Sequence, residues 1–353
     1  MSAEPREEKG PAAESLAPVI PLHVAPSAHI VAPESVTHIM LWVVGALAPV
    51  AIYAVWLMGW VAAGVIIVSV ATCLASEWGW NAIFKKPQTL KDGSALVTGL
   101  LLAFCFPPRT PLWIVFVGGF VAIVLAKMLF GGLGWNLFNP ALVGRAVVLL
   151  SWLGVMSQTK PFPGGWYAAM TATGTGVDTI TGATRLAIAS ADRAANGAYH
   201  FNLAAQYGPL LFKNLEGCIG EVSGALLILG GIVLILKGIV DWRIPLGYIG
   251  TVAVLSWAFG SDPIFNVLAG GVLVGAFFMA TDYVTSPMTR GGRLVFGVGC
   301  GVFNIVTRFY GPMPETTTFA ILFMNGLAPL IDKGFQPRIF GWTRGRKAAK
   351  ANA

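Results

Sequence analysis

The sequence predicts an all-α integral membrane protein, and three observations lead there. Of its 353 residues, 56% are hydrophobic and only 11% carry a charge, whereas soluble domains carry about 25% charged residues. From Ile39 to Ser76 no side chain is charged. A helix that crosses ~30 Å of hydrocarbon at ~1.5 Å per residue needs about 20 such residues, so this run holds two. Finally, apolar runs recur along the rest of the chain, split by short connections rich in Pro, Gly and charge. Together they give about ten transmembrane helices.

Taken in order, residues 1–37 contain Glu4, Arg6, Glu7, Glu8, Lys9, Glu14, Glu34 and several prolines, with no apolar core ending in a cleavage site. They read as a flexible cytoplasmic arm, not a signal peptide. The first transmembrane half spans 38–156. Its first two helices turn near Gly59, and a basic loop, Lys85 to Gly93, follows. The apolar run 94–107 ends at Pro107-Pro108 and is short for a span, which predicts a broken helix. Residues 111–130 and 137–155 supply two more. A polar segment, 157–221, carries four cations and four anions. The second half, 222–335, has apolar runs at about 222–236, 244–260, 264–281, 294–310 and 317–331, and a basic tail occupies 336–353.

Orientation follows from the positive-inside rule. With the N-terminus inside and ten helices, Lys85, Lys86, Lys91, Lys237, Arg243, Arg290, Arg293 and the tail fall inside. Arg109, Asp262, Glu315 and the neutral 157–221 segment fall outside, in the periplasm. The net charge of +7 and pI near 9.3 are accounted for by these loops. No basic run is interleaved with aromatics, so nucleic acid is not an expected partner.

The halves also resemble each other. Gly99 to Pro107 is similar to Gly271 to Met279. Each is followed by a helix bearing one late cation, Lys127 or Arg308, and by a closing helix with Asn139-Pro140 or Asn325…Pro329. Two five-helix repeats must run in opposite senses, because five is odd. The expected architecture is therefore an inverted repeat with interrupted helices. Lys127 and Arg308, near predicted helix ends, are expected to snorkel to the interface.

Candidate functional residues fall in three stretches. Asp178-Thr179-Ile180-Thr181-Gly182-Ala183-Thr184 is either an ordinary polar turn or a loop presenting the Thr184 hydroxyl, with Gly182 and Ala183 leaving it accessible. In Gly131 to Ala141, glycines allow close backbone approach and Asn136 and Asn139 offer donors and acceptors suited to a flavin ring edge. The same residues also suit a capped helix start at Pro140. Arg145, deep in the fifth helix, either faces an anionic flavin or phosphate or bonds to carbonyls, since an unpaired cation there costs about 2.5–3.5 kcal/mol. Asp282 either orients a ligand or cation or caps a turn. Cys73, Cys105, Cys218 and Cys300 form no C-x-x-C, and the four histidines have no ligand spacing. No disulfide framework, iron–sulfur ligation or dedicated metal site is expected.

Three markers, Thr181-Gly-Ala-Thr184, Gly134-Trp-Asn136-Leu-Phe-Asn139-Pro140-Ala-Leu-Val-Gly144-Arg145 and Phe278-Met-Ala-Thr281-Asp282, resemble the RnfD family, the membrane flavoproteins of Rnf ion-translocating electron-transport complexes. That family also holds NqrB, a membrane component of the sodium-pumping NADH:quinone reductase. The resemblance covers about residues 38–338, and chain length favours the Rnf type. It implies FMN joined to Thr184 through a phosphodiester by a separate flavin transferase. It also implies a non-covalent riboflavin near Asn136 and Asn139, coupling to Na+ or H+ movement, and a multi-pass place in a bacterial inner membrane. Partners would include an FMN-carrying subunit outside and an NAD-reactive subunit inside. A quinone-reductase component and a non-redox channel of similar fold are the alternatives.

Overall fold

The computed structural model describes residues 35–156, 186, 189, 206–215, 217–311 and 316–336. The arm, the tail and the stretch holding Asp178, Thr181, Gly182, Ala183 and Thr184 lie outside the described residues. Among those described there are helices and no strands. Helix α1 is Val36–Met58 and α2 is Trp60–Ile83, hinged at Gly59 (φ 74°) as the sequence predicts. Both are long and apolar enough to cross a membrane. Many of their large apolar side chains face outward, among them Ile52, Trp60 and Ile67. Such surfaces are rare on soluble monomers and ordinary against lipid.

After a 3-10 turn at Leu90–Asp92, α3 runs Ser94–Phe104 and stops short, so the predicted break is real. Helix α4, Leu112–Phe120, continues as a π segment, Val121–Met128, and α5 is Pro140–Ser151. In the second half, α6 is Gly224–Leu236 and α7 is Arg243–Ala258. The apolar run 264–281, expected as one helix, is two. Helix α8, Pro263–Leu268, ends at Ala269, and Gly270 and Gly271 turn the chain with φ of 74° and 71°. Helix α9, Val272–Val274, then extends as a second π segment, Gly275–Met279. Helices α10, Arg290–Tyr310, and α11, Thr317–Gly334, complete the bundle.

A helix broken inside an apolar bundle exposes carbonyls that water cannot reach, and each must find a donor. Here buried polar side chains meet them. Arg145 Nη1 donates to Cys105 O beyond the end of α3 (2.6 Å). Asn139 Nδ2 donates to Met279 O at the end of the second π segment (3.1 Å). Arg308 donates to Asn266 O (2.8 Å) and Ala269 O (3.2 Å) at the end of α8. Thr317 Oγ1 reaches Gly270 O (2.9 Å).

These bonds correct two expectations. Lys127 and Arg308 do not snorkel; they are 2% and 5% exposed. Hydropathy had placed them near helix ends, but both helices keep these positions turned inward. Arg308 is held by the carbonyls of α8, and Lys127 by Glu77.

The connections gather at two ends. At one, Thr37 Oγ1 donates to Lys91 O (3.2 Å), Lys237 Nζ sits 4.8 Å over the Trp42 ring, and Arg293 pairs with Asp241 (2.8 Å). Lys85, Lys86, Lys91, Lys237, Arg243, Arg290, Arg293 and Lys333 all belong to connections or helix termini there. At the other end, Tyr53 donates to Phe212 O (2.7 Å) and Tyr207 to Asp262. Leu186 and Ala189 pack at that second end against Leu210, Phe265 and Ala269.

Burial pushes the Asp241 carboxyl up, but the Arg243 amide and the Arg293 and Arg243 guanidinium groups outweigh it and hold it below the usual carboxylate range. A depressed folded value means this contact stabilises above the ordinary carboxylate value of about 4 and is lost as pH falls through that range. In thermal melts, Asp241→Asn is expected to lower the wild-type midpoint at pH 7 and to lose its difference from wild type in acid. Gly270→Ala is expected to cost about 1–3 kcal/mol. The new Cβ takes a left-handed φ and would lie 2.6 Å from Leu186 Cδ2 and 2.8 Å from Arg308 Nη2. A clear drop in melting temperature of the purified chain in detergent checks this.

Candidate functional site

A cleft opens at the basic end, with about 90 Å³ of space for the centres of water-sized molecules. The start of α1 supplies Ile39, Met40 and Val43. From α3 come Ser94, Thr98 and Leu101, and from the first π segment Lys127. The second π segment gives Phe277 and Phe278, and the turn beyond it Thr281 and Asp282. Both π segments of the described chain therefore border this space, as π segments often border functional sites.

Three residues singled out in the sequence, Asn136, Asn139 and Asp282, meet on this cleft although up to 146 positions separate them in the chain. Their roles differ. Asn139 caps α5, accepting from Ala141 N (3.1 Å) and Leu142 N (3.4 Å), and gives its amide to Met279 O. The capped-helix reading is thus the one its geometry shows. Asn325, with its amide turned to suit its neighbours, accepts from Asn139 N (3.1 Å) and ties α11 to the same point. Asn136 spends one amide hydrogen on Phe138 O (3.3 Å) and faces the cleft, 5% exposed. Asp282 accepts from Thr285 Oγ1 (3.2 Å) and Val284 N (3.5 Å), a turn cap that also faces the cleft.

The glycines before Asn136 carry the loop through left-handed backbone. Gly131, Gly132 and Gly134 have φ of 125°, 100° and 93°. A Cβ on Gly132 or Gly134 would meet nothing within 4 Å. The loop needs their left-handed backbone, which side-chain-bearing residues rarely adopt.

Arg145 does not join this cleft. It lines a second, smaller cavity with Cys105, Glu221, Gly270, Gly271, Met279 and Thr317. Of its two expected roles, the carbonyl bond is present, through Cys105 O, with Cys218 Sγ at 3.6 Å. The second cavity lies towards the end where Leu186 is anchored, because Gly270 touches both Leu186 and Arg308.

One feature of the cleft escaped the sequence reading. Glu77, fully buried on α2, accepts from Lys127 Nζ (2.7 Å) and from Thr89 Oγ1 (2.5 Å), and Lys127 also donates to Ser94 Oγ (2.6 Å). The available signal was Glu77 as the first charge after the neutral run Ile39 to Ser76. A carboxylate there needs a partner.

A sequence profile of the NQR2, RnfD, RnfE family matches residues 23–341. The chain belongs to that family. The D component of the Na(+)-translocating ferredoxin:NAD(+) oxidoreductase complex of Acetobacterium woodii is 42% identical over 330 residues, 94% of this chain and 98% of that protein. Its counterpart in the proton-translocating ferredoxin:NAD(+) oxidoreductase complex of Clostridium ljungdahlii is 41% identical over 329 residues, 91% and 96% of the two chains. The D component of an ion-translocating oxidoreductase complex of Methanosarcina acetivorans is 32% identical over 319 residues, 90% and 96%. Membership in the NQR2, RnfD, RnfE family accords with the lipid-like outer surface, and these relatives are similar to this chain almost end to end.

Breaking the buried pair by one partner leaves an uncompensated charge, which costs about 3–5 kcal/mol, whereas removing both with apolar residues is far milder. Glu77→Leu is therefore expected to melt well below wild type, and Glu77→Leu with Lys127→Met to recover most of the loss. A double variant as unstable as the single one would show that packing, not charge, is what the site needs.

Proposed function

We propose that this chain is the membrane subunit of an ion-translocating electron-transfer complex of the ferredoxin:NAD oxidoreductase type. In this reading it carries FMN on Thr184 and a non-covalent riboflavin in the cleft. The observation that carries it is the near full-length similarity to the RnfD-type relatives, joined to a cleft where Asn136, Asn139 and Asp282 converge.

The cleft suits a flavin ring in the chemistry of its walls. Phe277 and Phe278 offer apolar faces, and Asn136, Lys127 and Thr281 offer polar atoms along its walls. Those residues would hold the ring. When bound, a flavin supplies the ability to carry one or two electrons, and the surrounding charge and burial set its potential. Thr184 lies two residues before Leu186, whose side chain is anchored at Gly270. A phosphodiester removes the risk of losing a cofactor beside open water.

The ten-helix inverted repeat is part of this reading. It is supported by α3 and α9, both short, both preceded by a positive-φ glycine (Gly93, 79°; Gly271, 71°) and pointing inward from opposite ends. The concentration of cations at the cleft end supports placing that end in the cytoplasm and the Thr184 segment in the periplasm of a bacterial inner membrane. Partners would be an FMN-bearing subunit on the outer side, an NAD-reactive subunit on the inner side, and the transferase that modifies Thr184. Coupling would come from the bundle's electrostatic or conformational response to flavin charge. Na(+)- and proton-translocating relatives resemble this chain about equally, at 42% and 41% identity, so overall similarity does not select the ion.

Intact mass and in-gel fluorescence test the assignment. The wild-type chain co-expressed with its transferase is expected to carry one FMN and fluoresce, and Thr184→Ala to lose both while keeping acid-extractable riboflavin. A wild-type chain without the added mass would overturn the covalent site and favour a colourless channel.

A further inference from the structure

The buried pair beside the cleft is connected in a way that stability alone does not call for. Arg145 and Arg308 give hydrogens to backbone carbonyls. Lys127 instead meets side chains that lead outward. Its Nζ donates to Ser94 Oγ (2.6 Å), and Ser94 Oγ donates to Asp92 Oδ1 (2.6 Å). Asp92 is partly exposed at the basic end, ahead of α3, while Lys127 lines the cleft and is 2% exposed. On its other side Lys127 is fixed by Glu77 (2.7 Å), itself braced by Thr89, which Asn81 supports (3.1 Å).

Three properties suit this chain of groups to passing protons. Its links are short and charge-assisted. Its middle member is a hydroxyl that accepts on one side and donates on the other. Its inner member is an amine, which releases a proton far more readily than a guanidinium. The charged and titratable groups around it are Glu77 and Cys73 on α2, Asp92 and Lys91 in the loop before α3, His38 at the start of α1 and Asp282 on the facing wall.

We propose that Asp92, Ser94 Oγ and Lys127 Nζ form a proton relay from the basic-end water into the cleft, with Glu77 as the fixed counter-charge. The relay serves a redox ring that gains an electron in the cleft, so it rests on the reading of that cleft as a flavin site. Lys127 Nζ would hold a proton at the cleft wall and supply it inward when a bound ring is reduced. The Ser94 hydroxyl turns, passing its own proton to Nζ and accepting one from protonated Asp92, which is recharged from water. The electron comes from a one-electron carrier of the partner subunits. In sum, one electron and one proton enter the cleft and one proton leaves the basic-side water.

The test uses the full-length chain carrying Thr184→Ala, purified in lipid nanodiscs, so that the only flavin bound is the one in the cleft. Flash photoreduction with a pH-indicating dye records proton uptake, and acid extraction records flavin content. Ser94→Ala cuts the link while leaving the Lys127–Glu77 pair. It is expected to slow uptake per bound flavin at least about a hundredfold, the low end of what a positioned acid contributes. Asp92→Asn is expected to do the same and Ser94→Thr to restore the wild-type rate. Uptake as fast in Ser94→Ala as in its parent overturns the relay and leaves Lys127 and Glu77 as a structural clamp. A parent chain whose extract holds no flavin overturns the reading of the cleft and the relay with it, so the two failures are told apart.

Discussion

The structure depends on the need to satisfy the carbonyls of helices that stop inside an apolar bundle. Helices α3 and α8 and the second π segment all end where water cannot serve them. An orphaned buried carbonyl costs about 1–3 kcal/mol. Helix α5 answers two of these ends at once, with Asn139 on Met279 and Arg145 on Cys105. Six residues apart, the two side chains reach different broken elements. This is why a polar pair on one helix organises residues distant in the chain.

The same solution explains the electrostatics. A cation among apolar side chains is costly unless a specific acceptor is built for it. Arg308 and Arg145 have carbonyl ends, where the negative pole of a helix favours a cation. Lys127 has Glu77 and Ser94, which brings a carboxylate, an ammonium and a hydroxyl to the wall of the cleft. The broken helices thus create both the space for a ligand and the demand for polar side chains that line it.

Much of this was legible beforehand. The hinge at Gly59, the early stop of α3 and the cap at Asn139-Pro140 follow from local rules about glycine, proline and asparagine. The gathering of basic connections at one end follows from charge distribution alone. The snorkelling expectation for Lys127 and Arg308 failed because it used distance from a helix end without knowing which face was turned inward. The break at Gly270 was masked by an apolar run, 264–281, that scores as one continuous span. That Arg145 lines a different cavity from Asn136 and Asn139, though close to them in sequence, was not legible, because the helix turns successive side chains towards different neighbours.

By itself, the sequence determined the class of solvent the chain lives in, the family it belongs to and the residue types available for chemistry. Those depend on composition and on short patterns, which act locally. Only the tertiary structure decided that Asn136, Asn139, Asp282 and Lys127 share one cleft, that Glu77 is the partner of Lys127, and that Leu186 is anchored at the opposite end. Those facts come from packing of helices 50 to 140 positions apart, and the pairing of buried charges and carbonyls is settled by that packing, not by any one segment.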